Sequence, residues 1–375
     1  MGKIAILQYA DSEHCADQLY ACGLFVPDPF ISIQVEGRLY AVVNMLEFGR
    51  FIRSPRFEAV YSWEKLIEET GERTGGYATV AGLVKHLSGK LSVDVFRVAE
   101  TFPAALLRLL QERGVAVEIV SGALFPEREI KTDRECKCIR EGNAAAATGF
   151  AAVERILSES SIQGDRLFFD GKILTAERVR EAIAVACIGK GAWSLHTIVA
   201  CGDQACDPHN AGSGPIRPHE LIIVDIFPRV EKTGYFGDMT RTYLKGIASS
   251  AQKKLVKTVF KAQRMALKGV RSGRIASELY GEVIAYFDAQ GYPLRSGRNG
   301  AEGFIHGLGH GLGLEIHEAP RVSRAHNLLQ SGQVITIEPG LYFRGLGGCR
   351  IEDVVQVTAT GCRILSRHPY RWQIA

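Results

Sequence analysis

Five residues in the C-terminal part of the chain have the types and the setting for chemistry: Asp225, Asp238, His310, Glu338 and Glu352. Each falls in a short segment that reads as a strand or a tight strand end. Buried carboxylates repel one another, and each costs several kcal/mol unless positive charge lies between them. A pair of divalent metal ions is the simplest solution, and it points to a hydrolase with a dinuclear centre.

Each segment also has an ordinary explanation when taken alone. In LIIVDIFPRVEKTGYFGDMTRTYL, residues 221–224 form an apolar strand ending in Asp225, and residues 234–242 return as a strand carrying Asp238. A hairpin could set the two carboxylates face to face, where an unpaired pair would raise a pKa. Turn aspartates on a surface hairpin would read the same way. In HGLGHGLGLEIHEAP, the alternate glycines Gly307, Gly309, Gly311 and Gly313 argue against a helix and for close backbone approach in an extended segment. His306 and His310 then share a face, and His317 falls out of phase. The segment contains neither HExxH nor a phosphate-loop pattern. In VITIEPGLY, Glu338 ends an apolar strand before a Pro-Gly turn, which suits a buried ligand or a solvated turn. In CRIEDVVQV, Arg350 and Glu352 fall on one face, while Ile351, Asp353 and Val355 fall on the other. Asp353 is therefore the weaker ligand candidate, and Arg350 with Glu352 could be a plain ion pair.

The rest of the chain says what must position these residues. With 375 residues it is long enough for two domains. The net charge of +4, without a run of like charges, gives no basis for a nucleic-acid surface. The N-terminal stretch MGKIAILQYADSEHC lacks the apolar core and cleavage site of a signal peptide, and Ile6 breaks a myristoylation pattern. No apolar run approaches the roughly 18 residues of a membrane helix. The nine cysteines are odd in number and scattered, so reduced thiols in a cytoplasmic protein are expected. Cys136 and Cys138 sit two apart in a helical stretch and do not share a face.

Residues 31–35 and 39–44 flank Glu36-Gly37-Arg38 as a hairpin. Helices are expected over 79–87 and 103–113, with strands over 91–96 and 115–120, giving a small α/β domain. Thr132 and Glu135 form a capping box opening a long helix. Its buried stripe is Ile139, Asn143, Ala146, Phe150, Val153 and Leu157, with Asn143 the polar exception. Further helices follow Thr175 and cover 250–268 and 276–290. Strands are expected over 197–201, 221–226, 234–242, 333–337 and 350–357. Helices followed by hairpin-like strands suggest an α+β domain with helices on one face of an antiparallel sheet. No internal repeat is visible.

Taken jointly, the order Asp, Asp, His, Glu, Glu at gaps of 13, 72, 28 and 14 residues is hard to dismiss. The stretches VDIFPRVEKTGYFGDMTRTY, HGLGHGLGLEIHEAP, TIEPGLY and RIEDVV resemble, in that order, the pita-bread metallopeptidase family. That family includes aminopeptidase P, prolidase and methionine aminopeptidase, with creatinase as a metal-free relative. The resemblance covers about residues 131–370. It implies a catalytic domain over 129–375, a curved antiparallel sheet covered by helices. It further implies that Asp225 binds one metal, that Asp238 and Glu352 bridge both, and that His310 and Glu338 complete the second. His306 and His317 match histidines that contact substrate and leaving group. Arg350 matches an arginine beside the last ligand on the substrate side, and His209, in CDPHNAGSG, matches a histidine lining the substrate pocket. The donor set suits two divalent ions, with Mn²⁺ first and Co²⁺, Zn²⁺ or Fe²⁺ as alternatives. The implied chemistry is a metal-bridging hydroxide attacking a peptide carbonyl, with Glu338 moving the proton and His306 or His317 steadying the oxyanion. Two departures stand out. Phe227-Pro228 occupies the place where the family has Gly two residues after its first Asp, and the Asp225–Asp238 loop is slightly long.

The stretch ADQLYACGLFVPDPFISIQVEGRLYAVV resembles the creatinase/prolidase N-terminal domain, which sets residues 1–128 as a domain of that kind. Methionine aminopeptidases lack it. The resemblance therefore implies an exopeptidase cleaving the Xaa-Pro bond of short peptides, working as a cytoplasmic homodimer without nucleic-acid or membrane partners. The alternatives are a creatinase-like hydrolase, a non-proline peptidase, or a non-catalytic binding protein on the same fold.

Overall fold

The computed structural model describes residues 2–72, 75–297 and 300–375. The chain divides into two compact units, Met1–Pro126 and Glu127–Ala375.

The first unit is built on a six-stranded mixed sheet. Its strands, in spatial order, are Phe57–Ser62, Arg38–Val43, Phe30–Val35, Ile4–Ala10, Val95–Ala99 and Ala116–Val120. The expected hairpin forms with a two-residue turn, Glu36 at φ 50° and Gly37 at φ 76°. Two positive φ angles give the turn a twist matching that of the strands. The expected strand at 91–96 lies further along, at Val95–Ala99, because the helix Tyr77–Leu91 runs through Leu91 and is closed by Ser92 in the left-handed region. Leu7, Ile31, Leu83, Leu87 and Phe96 are buried in the core between this sheet and its helices. The strand Ile4–Ala10, visible beforehand only as an apolar patch, pairs on both edges and sits inside the sheet.

The second unit opens with the helix Asp133–Glu159. The Thr132 hydroxyl accepts from the Glu135 amide at 3.3 Å, and the Glu135 carboxylate accepts from the Thr132 amide at 2.8 Å. All six stripe residues, Asn143 included, are buried. This helix and Ala176–Ile188 cover a four-stranded sheet ordered Ile198–Cys201, Ile222–Ile226, Met239–Lys245 and Gln373–Ile374. A second helix pair, Ser250–Gly269 and Ala276–Ala289, covers a five-stranded antiparallel sheet ordered Glu318–Val322, Gly309–Gly311, Val334–Ile337, Asp353–Val357 and Cys362–Ile364. The same plan of two helices on a sheet thus occurs twice, although the sequence shows no repeat.

Two expected strands need correction. Residues 231–233 form the turn and 234–238 are irregular apart from a bridge between Phe236 and Arg229, so the strand begins at Met239 and Asp238 stands just before it. Residues 350–357 are not one strand. Gly347–Arg350 pairs with Gly340–Phe343, Asp353–Val357 joins the five-stranded sheet, and Ile351-Glu352 is the crossing between them. All nine cysteines are free thiols. Among the described residues, no helix is long and apolar enough to cross a membrane.

Candidate metal centre

One cavity of about 580 Å³ gathers every residue singled out from the sequence: Asp225, Asp238, His310, Glu338, Glu352, His306, His317, His209 and Arg350. Asp225 lies in Ile222–Ile226, and His310 lies in Gly309–Gly311. Glu338 directly follows Val334–Ile337, and Glu352 sits at the crossing between sheets. Strand ends from both sheets therefore converge on this point.

The geometry is one that could hold a metal ion. Ligand atoms of Asp238, His310 and Glu352 all lie within 4.8 Å of one another. His310 Nε2 is 3.6 Å from Asp238 Oδ2 and 3.4 Å from Glu338 Oε1. On its other side, His310 Nδ1 stands 3.0 Å from the Gly311 carbonyl. A carbonyl can only accept, so this nitrogen carries the proton and Nε2 turns its lone pair to the carboxylates. Asp225 Oδ2 accepts from Arg350 Nη2 at 2.6 Å, while Asp225 Oδ1 is buried with no hydrogen-bond partner among the described residues. A buried, orphaned carboxylate oxygen beside buried Asp238 and Glu352 and half-buried Glu338 calls for a cation. Oxygen donors with one neutral imidazole fit divalent ions of the manganese-to-zinc range.

Burial pushes Asp238 and Glu352 well above the usual carboxylate range, and the neighbouring carboxylates add to the effect. Burial, opposed by Arg350, brings Glu338 to about 7. Burial also lowers His310 to about 3, so the imidazole is already neutral near pH 7. Metal needs all these groups deprotonated. The sign follows: the raised groups, Asp238, Glu352 and Glu338, favour their protonated forms in the metal-free protein and would release protons on loading. Metal affinity is thus expected to rise with pH between 6 and 8. Calorimetry in two buffers of different ionisation heat should detect proton release, and a buffer-independent heat would contradict it.

The support around the ligands was mostly invisible in the sequence. Asn143, the polar residue on the apolar helix stripe, accepts from the Asp238 amide at 2.9 Å and donates to the Leu365 carbonyl at 3.4 Å. This contact needs the helix to lie directly on the irregular segment before Asp238, and a Cβ on Gly142 or Gly237 would overlap the other's backbone. Thr240 donates to Glu352 Oε2 at 2.7 Å, and Thr336 donates to Glu338 Oε1 at 3.3 Å. Replacing Asn143 with Leu leaves the Asp238 amide and the Leu365 carbonyl unpaired, a loss of about 1–3 kcal/mol. The variant should melt several degrees lower and bind manganese about 10–100-fold more weakly. An unchanged affinity would show that Asn143 does not orient Asp238.

The other residues divide by how their polar atoms are occupied. All three Arg350 nitrogens are engaged, with Asp225, with Thr240 at 3.2 Å and with the Tyr342 hydroxyl at 2.9 Å. That hydroxyl meets His306 Nε2 at 2.7 Å, and His306 Nδ1 meets the Gly307 carbonyl at 2.7 Å. His317 packs edge-on against His310, with ring centres 4.4 Å apart. Its loop is held by the Glu318 carboxylate, which accepts from the Leu314 and Glu315 amides and from Arg128 and Lys131. His209 is exposed at the cavity wall. Phe227 lines the same cavity, where a glycine would leave open space.

The profile of metallopeptidase family M24 matches residues 137–359, more than half of the chain. The chain belongs to metallopeptidase family M24. This M24 chain is a hydrolase of the metallopeptidase class, and its fold is the pita-bread fold. It is 32% identical over 310 residues to an Xaa-Pro dipeptidase of Pyrococcus horikoshii, covering 81% of each chain. It is 37% identical over 176 residues to an Xaa-Pro dipeptidase of Pyrococcus furiosus, an alignment spanning 46% of this chain and 48% of that one. An X-Pro aminopeptidase structure from Thermotoga maritima superposes with a TM-score of 0.81 at 22% identity, over 100% of this chain and 98% of the other, which is a likeness of fold.

Proposed function

We propose that this M24 chain is a divalent-metal-dependent exopeptidase that hydrolyses the Xaa-Pro bond at the N-terminus of short peptides, as an Xaa-Pro dipeptidase or Xaa-Pro aminopeptidase. The observation carrying this reading is the cluster of four carboxylates, three of them buried, and a neutral imidazole in which Asp225 Oδ1 has no partner among the described residues. Both sequence relatives are Xaa-Pro dipeptidases, which supports the choice of proline peptides.

In this reading Asp225, Asp238, His310, Glu338 and Glu352 would hold two ions, with Asp238 and Glu352 shared between them. Mn²⁺ is the expected metal, and Co²⁺, Zn²⁺ or Fe²⁺ would suit the same donors. When bound, the ions supply Lewis-acid charge that acidifies water toward neutrality and polarises a peptide carbonyl. Glu338, 3.4 Å from His310, takes a proton from water in this reading and returns it to the leaving imino nitrogen. His317, whose ring has no hydrogen bond among the described residues, donates to the developing oxyanion. His306 is held by Tyr342 and Gly307 and walls the substrate side, while Arg350 fixes Asp225. His209 contacts the peptide at the cavity wall. A homodimer acting in the cytoplasm belongs to the same reading.

The test is a matched assay of manganese-loaded protein on Xaa-Pro dipeptides, Xaa-Pro-Yaa tripeptides and Met-Ala-Ser. Cleavage of the dipeptides alone identifies a dipeptidase, and cleavage of the tripeptides identifies an aminopeptidase. If the loaded protein leaves all proline peptides intact, the proposed specificity is wrong.

A further inference from the structure

A second cavity in the catalytic unit, of about 280 Å³, opens beside the helix Ser250–Gly269 and is separate from the ligand cluster. Its apolar wall includes the rings of Phe260, Tyr370 and Trp372, and its rim carries Lys253, Lys257 and Arg371. The rings are held in place. Phe260 and Tyr370 meet edge-to-face at 5.3 Å, and the Tyr370 hydroxyl donates to Asp353 at 2.6 Å. All three rim cations are exposed. Among the described residues none of the three side chains pairs with a carboxylate, and no Asp or Glu lines the cavity.

Most surface cations near acids find one, as Arg155 does with Glu159 and Arg274 with Glu282. Three unpaired cations around one opening repel one another, and an anion seated there would relieve that repulsion. Aromatic walls offer stacking and edge contacts to a flat ring. A cavity of about 150 Å³ accommodates benzene, so this one has room for a ring with an acidic substituent.

We propose that this cavity is a binding site for a small aromatic anion, a flat ring bearing one sulfonate, carboxylate or phosphate. An inorganic anion would leave the rings uncovered, and a neutral ring would leave the cations unmatched. The proposal does not depend on the peptide specificity above.

The test uses full-length, manganese-loaded protein and 1-naphthalenesulfonate, whose sulfonate is a poor metal ligand and does not compete for the ligand cluster. Calorimetry should show saturable binding of one probe per chain. The double variant Lys253→Ala/Lys257→Ala should weaken it at least tenfold, and Trp372→Ala should weaken it separately. Arg241 and Thr242 also line the cavity, but they hydrogen-bond the Glu352 carbonyl and the Arg350 backbone and are left intact. The exposed lysines can be removed without touching the fold, and an unchanged melting temperature confirms that. Wild-type affinity in the lysine variant, absence of saturable binding, or equally tight binding of sulfate would each overturn the proposal.

Discussion

Exchanging Glu352 for Gln is expected to lower peptide hydrolysis by about 10³-fold or more. The side chain is 2% exposed and faces Asp238, Glu338 and Asp225, which with burial raise its pKa. Glutamine keeps the shape but would present no negative charge to an ion of the proposed centre. The effect on stability separates this role from a packing role. In the metal-free protein, burial and the neighbouring carboxylates favour protonated Glu352, and taking up that proton is a cost of folding that a neutral amide avoids. The variant should therefore melt at or above the wild type without metal, and below it with manganese, because only the wild type gains full binding energy. A variant that melts lower in both states and keeps its activity would make Glu352 a structural residue.

His317→Ala should lower kcat by about 10²-fold, the scale of one lost oxyanion donor, with bound metal unchanged. The ring touches the edge of His310 without contributing to the ligand cluster, and four donors to Glu318 hold the loop that carries it. Metal analysis and steady-state kinetics check this together. Loss of metal would make His317 a ligand, and a rise in KM with unchanged kcat would make it a ground-state contact.

The sequence made the acidic and imidazole groups legible because each stands at or near the end of a short apolar run, as Glu338 follows Val334–Ile337. The long helix was equally legible, since its capping box and stripe are local patterns. Asn143 was visible as an anomaly on that stripe, but its partner Asp238 lies 95 residues away. Thr240 acts on Glu352 across 112 residues, and nothing local announces it. Tyr342 closes a chain from Arg350 to His306 that only the folded arrangement creates. The break between Gly347–Arg350 and Asp353–Val357 was hidden because apolar alternation continues through Ile351 while the chain changes sheets. That crossing also explains Asp353. It is buried against Arg241 and Tyr370, so its carboxylate is consumed in structure and points away from the ligand cluster.

The most direct measurement is a titration of chelator-stripped protein with Mn²⁺, following bound metal and hydrolysis of Ala-Pro in the same samples. The account predicts no hydrolysis in the stripped protein and activity that rises with occupancy to a plateau at two ions per chain. Hydrolysis without metal, or a plateau reached with no ion bound at the Asp225 to Glu352 cluster, would contradict it.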